Sequence, residues 1–187
     1  MLEAPSSAQL VEAFVNTVDV ELGTDDLAVP DQLPAWLAER GLLPSGTPVT
    51  TEEHQLALRL RDGIRENLGV HTGDTPDPGL LRDADEVLRR LPLVATLRPG
   101  SRATLEPAPG LTPVRHALAA LAVAWTELTV TGEAARLKRC AEHTCAWVFW
   151  DSSKNRSRRW CSMRVCGNRT KARRYATKRT SAPGTAG

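Results

Sequence analysis

The chain has 187 residues, a net charge of +2, 41% apolar and 25% charged residues. That balance suits a globular protein of one domain, or one domain with a small appendage. Its longest apolar run, ALAALAVAW, falls well short of the ~20 residues a membrane helix needs, which argues against a spanning segment. The opening MLEAPSSAQL has no basic stretch followed by an apolar one, so no export signal is expected and a cytoplasmic location follows.

In chain order, the first 135 residues read as mostly helical. SSAQLVEAFVNTVD places Leu10, Phe14 and Val18 at helical spacing behind a serine cap. LGTDDLAVPDQ reads as loop. PAWLAERG is a short helix anchored by Trp36 and Leu37 and ended by Gly41. TTEEHQLALRLRDGIRENLG opens with a capping box from Thr50 to Glu53, lays Leu56, Leu60, Ile64 and Leu68 on one face, and stops at Gly69. Asp77-Pro78 starts the next helix, with Leu81, Ala84, Val87 and Leu88 as its buried stripe. LVATLRPGSRATLEP predicts the only hairpin of this region, turning at Pro99-Gly100. Thr112-Pro113 opens a long helix whose inner face is Val114, Ala117, Leu118, Leu121, Trp125 and Leu128, and Thr131-Gly132 ends it.

Little in this region suggests catalysis. His54, His71 and His116 stand apart, without a second ligand at metal spacing. There is no Gly-rich phosphate loop and no Ser-His-Asp signature, so no enzyme is expected. Asn16 and Asp19 lie beside a buried stripe, where they could line a pocket or cap a turn.

Charge divides the chain sharply. Met1–Ala135 carries 10 Lys+Arg against 20 Asp+Glu, a net −10, whereas Arg136–Gly187 carries 14 against 2, a net +12. An acidic body with a basic head suggests an anionic partner for the head. The head also holds every cysteine: Cys140, Cys145, Cys161 and Cys166, two C-x4-C pairs. Two close pairs can give zinc a tetrahedral set of thiolates, and a reducing cytoplasm disfavours disulfides. Two disulfides or an iron–sulfur cluster are the competing readings, and His143 is the one other ligand type nearby.

Between the pairs, AWVFWD, SSKNRS and RRWCS predict a hairpin, with Trp147, Phe149, Trp150 and Trp160 as core of a domain too small to fold without a metal. After Cys166, Gly167 permits a close turn whose amide could approach a thiolate, and Asn168 is placed to cap a helix. Knuckle, hairpin and ligands at a helix start form a treble-clef layout. Arginine outnumbers lysine twenty to four, and its fork suits phosphate and guanine.

WCSMRVCGNRTKARRY resembles the CGNR zinc-finger family, whose signature stands here as Cys166, Gly167, Asn168 and Arg169. CAEHTCAWVFWDSSKNRSRRWC resembles that family's first cysteine pair and hairpin. The body, with FVNTVD near its start, is similar to the ABATE-type domain that accompanies this finger, a family assigned to stress-induced transcription regulation. The resemblance implies a bacterial DNA-binding regulator.

The expected fold is therefore α+β, with three segments. Residues 1–132 form a mainly helical domain with one β-hairpin, 133–180 a small treble-clef-like zinc finger, and 181–187 a disordered tail. Zn2+ is the expected cofactor, held by the four cysteines. Duplex DNA is the expected partner. Arg169, Lys171, Arg173 and Arg174 would make contacts at the helix start, and Arg156, Arg158 and Arg159 would grip phosphates from the hairpin. The body would support a homodimer or bind a small-molecule effector. Stacking of RNA or single strands on the tryptophans is one alternative, and a protein-interaction finger docked on the acidic body is another.

Overall fold

The computed structural model describes residues 2–97 and 104–180, with the side chains of Arg174 and residues 176–180 left aside. The expected Pro99-Gly100 turn and the tail 181–187 lie outside the described residues. The body is built on α1 (Ser6–Val15), α2 (Gln32–Glu39), α3 (Thr51–Gly69), α4 (Pro78–Arg89) and α5 (Pro113–Val130). Among the described residues no helix is long and apolar enough to cross a membrane.

Local chemistry explains most of these boundaries. The Thr50–Glu53 capping box of α3 is formed in both directions, and Glu53 also accepts from the Thr112 hydroxyl at 2.6 Å, tying the start of α3 to the start of α5. The Asp77 carboxylate accepts from the amides of Gly79 and Leu80 ahead of Pro78. Gly41, at φ +68°, supplies the left-handed residue that closes the α2 turn. Phe14, Leu37, Leu56, Leu60, Leu68, Leu118, Leu121 and Leu128 fill one core between α1, α2, α3 and α5. Gly63 lets α4 press onto α3: a β-carbon there would lie 2.2 Å from that of Ala84.

Two expectations in the body are corrected. The first helix stops at Val15, leaving Val18 to begin a short ladder in which β1 (Val18–Asp19) pairs with β2 (Thr24–Asp25). The loop expected there contains this second small hairpin. Its turn is held by the Asp19 carboxylate, which accepts from the amides of Glu21 and Leu22. The pairing of β3 (Leu93–Thr96) with β4 (Thr104–Pro107) is as expected.

The C-terminal hairpin pairs differently from expectation. Strand β6 (Val148–Trp150) runs antiparallel to the upstream β5 (Leu137–Arg139), with Lys138 opposite Phe149, and not to RRWCS. Residues 151–160 form an irregular loop. The alternation of a strand explains the arrangement. Leu137, Val148 and Trp150 join the main core, while Phe149 on the other face packs among the cysteines with Trp160. Trp147, expected in the core, is 37% exposed. A π-helical turn, Met163–Gly167, then runs directly into α6 (Asn168–Thr180).

Candidate metal centre and basic surface

The first cysteine pair sits on a knuckle between β5 and β6. The amides of Cys145 and Ala146 both donate to the Glu142 carbonyl at 2.9 Å, and Ala146 adopts φ +49°. A left-handed alanine costs about 1–2 kcal/mol. The body helps hold it: Arg65 of α3 donates to the Ala146 carbonyl at 3.1 Å and also to that of Val15. The second pair sits on the π-helical turn, where the Ser162 hydroxyl accepts from the Val165 amide. Ser162, not Asn168, is the cap, and Asn168 lies inside the helical run. The Gly167 amide donates to the Ser162 carbonyl at 3.1 Å, so it is not spent on a thiolate.

These two turns bring the sulfurs of Cys140, Cys145, Cys161 and Cys166 within 4.8 Å of one another. Cys161 lies 3.6 Å from both Cys145 and Cys166. Four sulfurs at about 2.3 Å from a tetrahedral zinc stand roughly 3.8 Å apart, so the donor set fits Zn2+ in number, type and spacing. No two of the thiols are joined as a disulfide. His143 is exposed and stands outside the cluster. Burial first, then the neighbouring sulfurs, raises the Cys161 thiol, and burial pushes Cys166 up to about 12. A divalent cation reverses that preference, because its charge stabilises the thiolates burial disfavours.

Two buried carboxylates frame the centre. Glu142, inside the knuckle, accepts from the hydroxyls of Thr144 at 2.9 Å and Thr170 at 3.1 Å, and from Arg173 of α6. Despite its burial, these bonds hold its pKa down to about 2. Asp151 closes β6 by pairing with Lys138 at 2.8 Å and accepting from the amides of Ser153 and Arg158. Its pKa also falls to about 2, burial opposing and Lys138 leading the bonds that win. The Lys138 ammonium reaches on to the Arg156 and Arg158 carbonyls, so this ion pair shapes the 151–160 loop. Sequence reasoning passed over both acids. Their signal was their isolation, two carboxylates in a segment of net +12.

The body grips the finger through side chains on facing elements. Asn16 donates to the Val148 carbonyl at 2.8 Å and accepts from its amide at 2.9 Å, acting as a strand partner for the free edge of β6. That is the role of the asparagine in FVNTVD. Arg139 pairs with Glu66 at 2.7 Å and Asp74 at 3.1 Å, and the His71 ring bonds the Leu137 carbonyl. His54 bonds the Leu27 carbonyl inside the body, and His116 is exposed.

The arginines expected at nucleic acid fall into two groups. Arg158 lies over the Phe149 ring at 4.7 Å and donates to the Cys161 carbonyl at 2.7 Å, bracing the second cysteine pair. Arg169 pairs with Glu21 of the body at 2.8 Å, and Arg173 reaches Glu142 while its side chain stays half exposed. Lys171, Arg156 and Arg159 are exposed, Arg156 lying 3.7 Å from Glu133 and Arg159 donating to the Thr72 carbonyl at 3.0 Å. Arg164, on the π-helical turn, is a further exposed cation that the sequence reading left out. The side chain of Arg174 lies outside the described residues.

No curated protein matches this sequence. Residues 136–179 match the family described as "CGNR zinc finger", and residues 8–132 match the one described as "Putative stress-induced transcription regulator". The chain thus belongs to that ABATE-type regulator family, its matched domain followed by a CGNR zinc finger suited to Zn2+.

Proposed function

We propose that this protein regulates transcription in the cytoplasm by binding duplex DNA through its zinc-loaded finger. The observation that carries this reading is electrostatic. Both acidic residues after Arg136, Glu142 and Asp151, are fully buried and bonded to cations. From Arg136 onward the surface therefore offers Lys and Arg with no exposed side-chain carboxylate, Glu133 standing at its edge beside Arg156 at 3.7 Å, and this favours a polyanion. Lys171, Arg156, Arg159 and Arg164 are the phosphate-gripping candidates, with Arg169 and Arg173 joining from α6. Arg158 acts indirectly, by fixing the loop that carries its neighbours. The zinc contributes by fixing both turns, and so the spacing between the loop cations and α6. One small finger reads few base pairs, so specific recognition calls for a dimer on paired half-sites.

Fluorescence anisotropy of the zinc-loaded protein on duplex DNA tests this across a salt series. Four phosphate contacts give a log–log slope of about −4, and Lys171→Ala or Arg159→Ala each reduces it by about one. Chelation should abolish binding. Absence of binding at low salt, or tighter binding to single strands than to duplex, would overturn the reading.

A further inference from the structure

Trp147 was expected to fill the finger core, yet it stands 37% exposed, two residues after a candidate zinc ligand. It lines a cleft of about 390 Å³ between α1, α2 and the finger, together with Glu12, Asn16, Asp26, Trp36 and Arg40. That volume falls in the range of small-molecule sites.

The charge lining the cleft is one-sided, Glu12 and Asp26 against Arg40. The Asn16 amide is spent at both ends on Val148. The Gln9 amide donates to the Ala4 carbonyl at 2.8 Å, and the Thr17 hydroxyl to that of Phe14 at 2.9 Å. Arg40 lies over Trp36 at 3.8 Å, donates to the Trp36 carbonyl and pairs with Glu39. The lining also holds the exposed Trp147 ring and two carboxylates, Asp26 and Glu12, the latter accepting from the Trp150 amide. Neither Glu12 nor Asp26 forms an ion pair at 4.0 Å or less among the described residues. Asp26 is exposed, whereas Glu12 is half buried. Burial pushes the Glu12 carboxyl up, against the Trp150 amide and the charge of Arg158.

A cleft lined by two carboxylates without an ion partner, against one arginine, selects a ligand that brings positive charge. An exposed indole beside them selects a cation as well, through its negative face. We propose that this cleft binds an organic cation, an ammonium or guanidinium group on an apolar body, with its charge between Glu12 and Asp26 and its body against Trp147. Arg40, the one guanidinium in the lining, is held on the Trp36 side by Glu39 and leaves the lining net negative. Because the cleft joins α1 to the segment between Cys145 and β6, a bound cation would touch body and finger together. The site does not depend on the DNA reading.

The test is calorimetry and tryptophan fluorescence on the full zinc-loaded chain with three probes of similar shape: benzylamine, benzyl alcohol and phenylacetate. Saturable benzylamine binding is expected, about tenfold or more tighter than the alcohol, with no phenylacetate binding. Asp26→Asn changes only an exposed side chain and should weaken benzylamine about tenfold. Trp147→Leu should weaken it severalfold and remove the fluorescence change. Zinc content and melting temperature confirm that each variant is folded. Equal binding of amine and alcohol, wild-type affinity in both variants, or no benzylamine binding up to its solubility limit would each overturn the proposal.

Discussion

At the scale of single residues, buried ionic groups govern the finger. Asp151 is wholly buried against Lys138, and removing one partner of such a pair leaves the other charge unmatched, at a cost of about 3–5 kcal/mol. Asp151→Asn should therefore destabilise the protein by about 3 kcal/mol at pH 7. Glu142→Gln should cost less, about 1–2 kcal/mol, because Arg173 keeps access to water. Both carboxyls are depressed to about 2, so the stability they confer is present above their ordinary range near 4 and is lost as pH falls toward 2. The gap between wild type and each variant should accordingly begin to narrow below about pH 4 and close near pH 2. Denaturant melts from pH 7 to pH 2 measure the gap, and a constant difference would contradict the assignment. Asn16 shows the same dependence on context: FVNTVD marks it as polar beside an apolar stripe, but only the folded chain puts Val148 across from it.

Among elements, the helices follow local rules and the strands follow distant partners. The caps at Thr50 and Asp77, the left-handed Gly41 after α2 and the left-handed Gly73, which in place of the expected Gly69 closes the 3-10 turn Val70–Thr72 after α3, all use residues within a few positions of the boundary. AWVFW reads as a strand from its β-branched and aromatic residues, but its partner lies upstream, across the knuckle. The flaw in the sequence reading was to place all four aromatics in one core. The strand's two-residue period divides them, Trp150 to the body and Phe149 to the cysteines. A similar point holds for Gly63. In an isolated helix Gly63→Ala would stabilise by up to about 1 kcal/mol. Here the new methyl would meet the Ala84 side chain at 2.2 Å and the Leu80 carbonyl at 2.8 Å, so a loss of about 1–3 kcal/mol is expected. Thermal melts of the single variant decide between the two signs.

For the whole molecule, finger and body share a core. Ala134, Leu137 and Val148 follow Gly132 in sequence yet pack with Phe14 and Leu68 in the main cluster. Asn16, Arg65, Glu66 and His71 add polar ties across the same junction. Removing zinc should therefore do more than unfold an appendage. Calorimetry of the chelated protein should show a lower melting temperature for the body, with zinc-loaded protein melting in one transition. Two independent transitions, with the body's midpoint unchanged by chelation, would show that the shared core carries little energy.

The sequence by itself determined most helices of the body, the grouping of the four cysteines and the separation of charge. Each depends on residue type and on spacing along the chain: a cap within one turn, an apolar stripe every three or four residues, thiols in two close pairs. Only the tertiary structure decided which strand pairs with AWVFW, which arginines face water, and that Trp147 borders a cleft. Those depend on groups far apart in sequence. Arg158 and Lys171 are both cations of the same basic run, but one is committed to Phe149 and the Cys161 carbonyl and the other is exposed. Residue type sets what a side chain can bond, and the fold sets what stands within its reach.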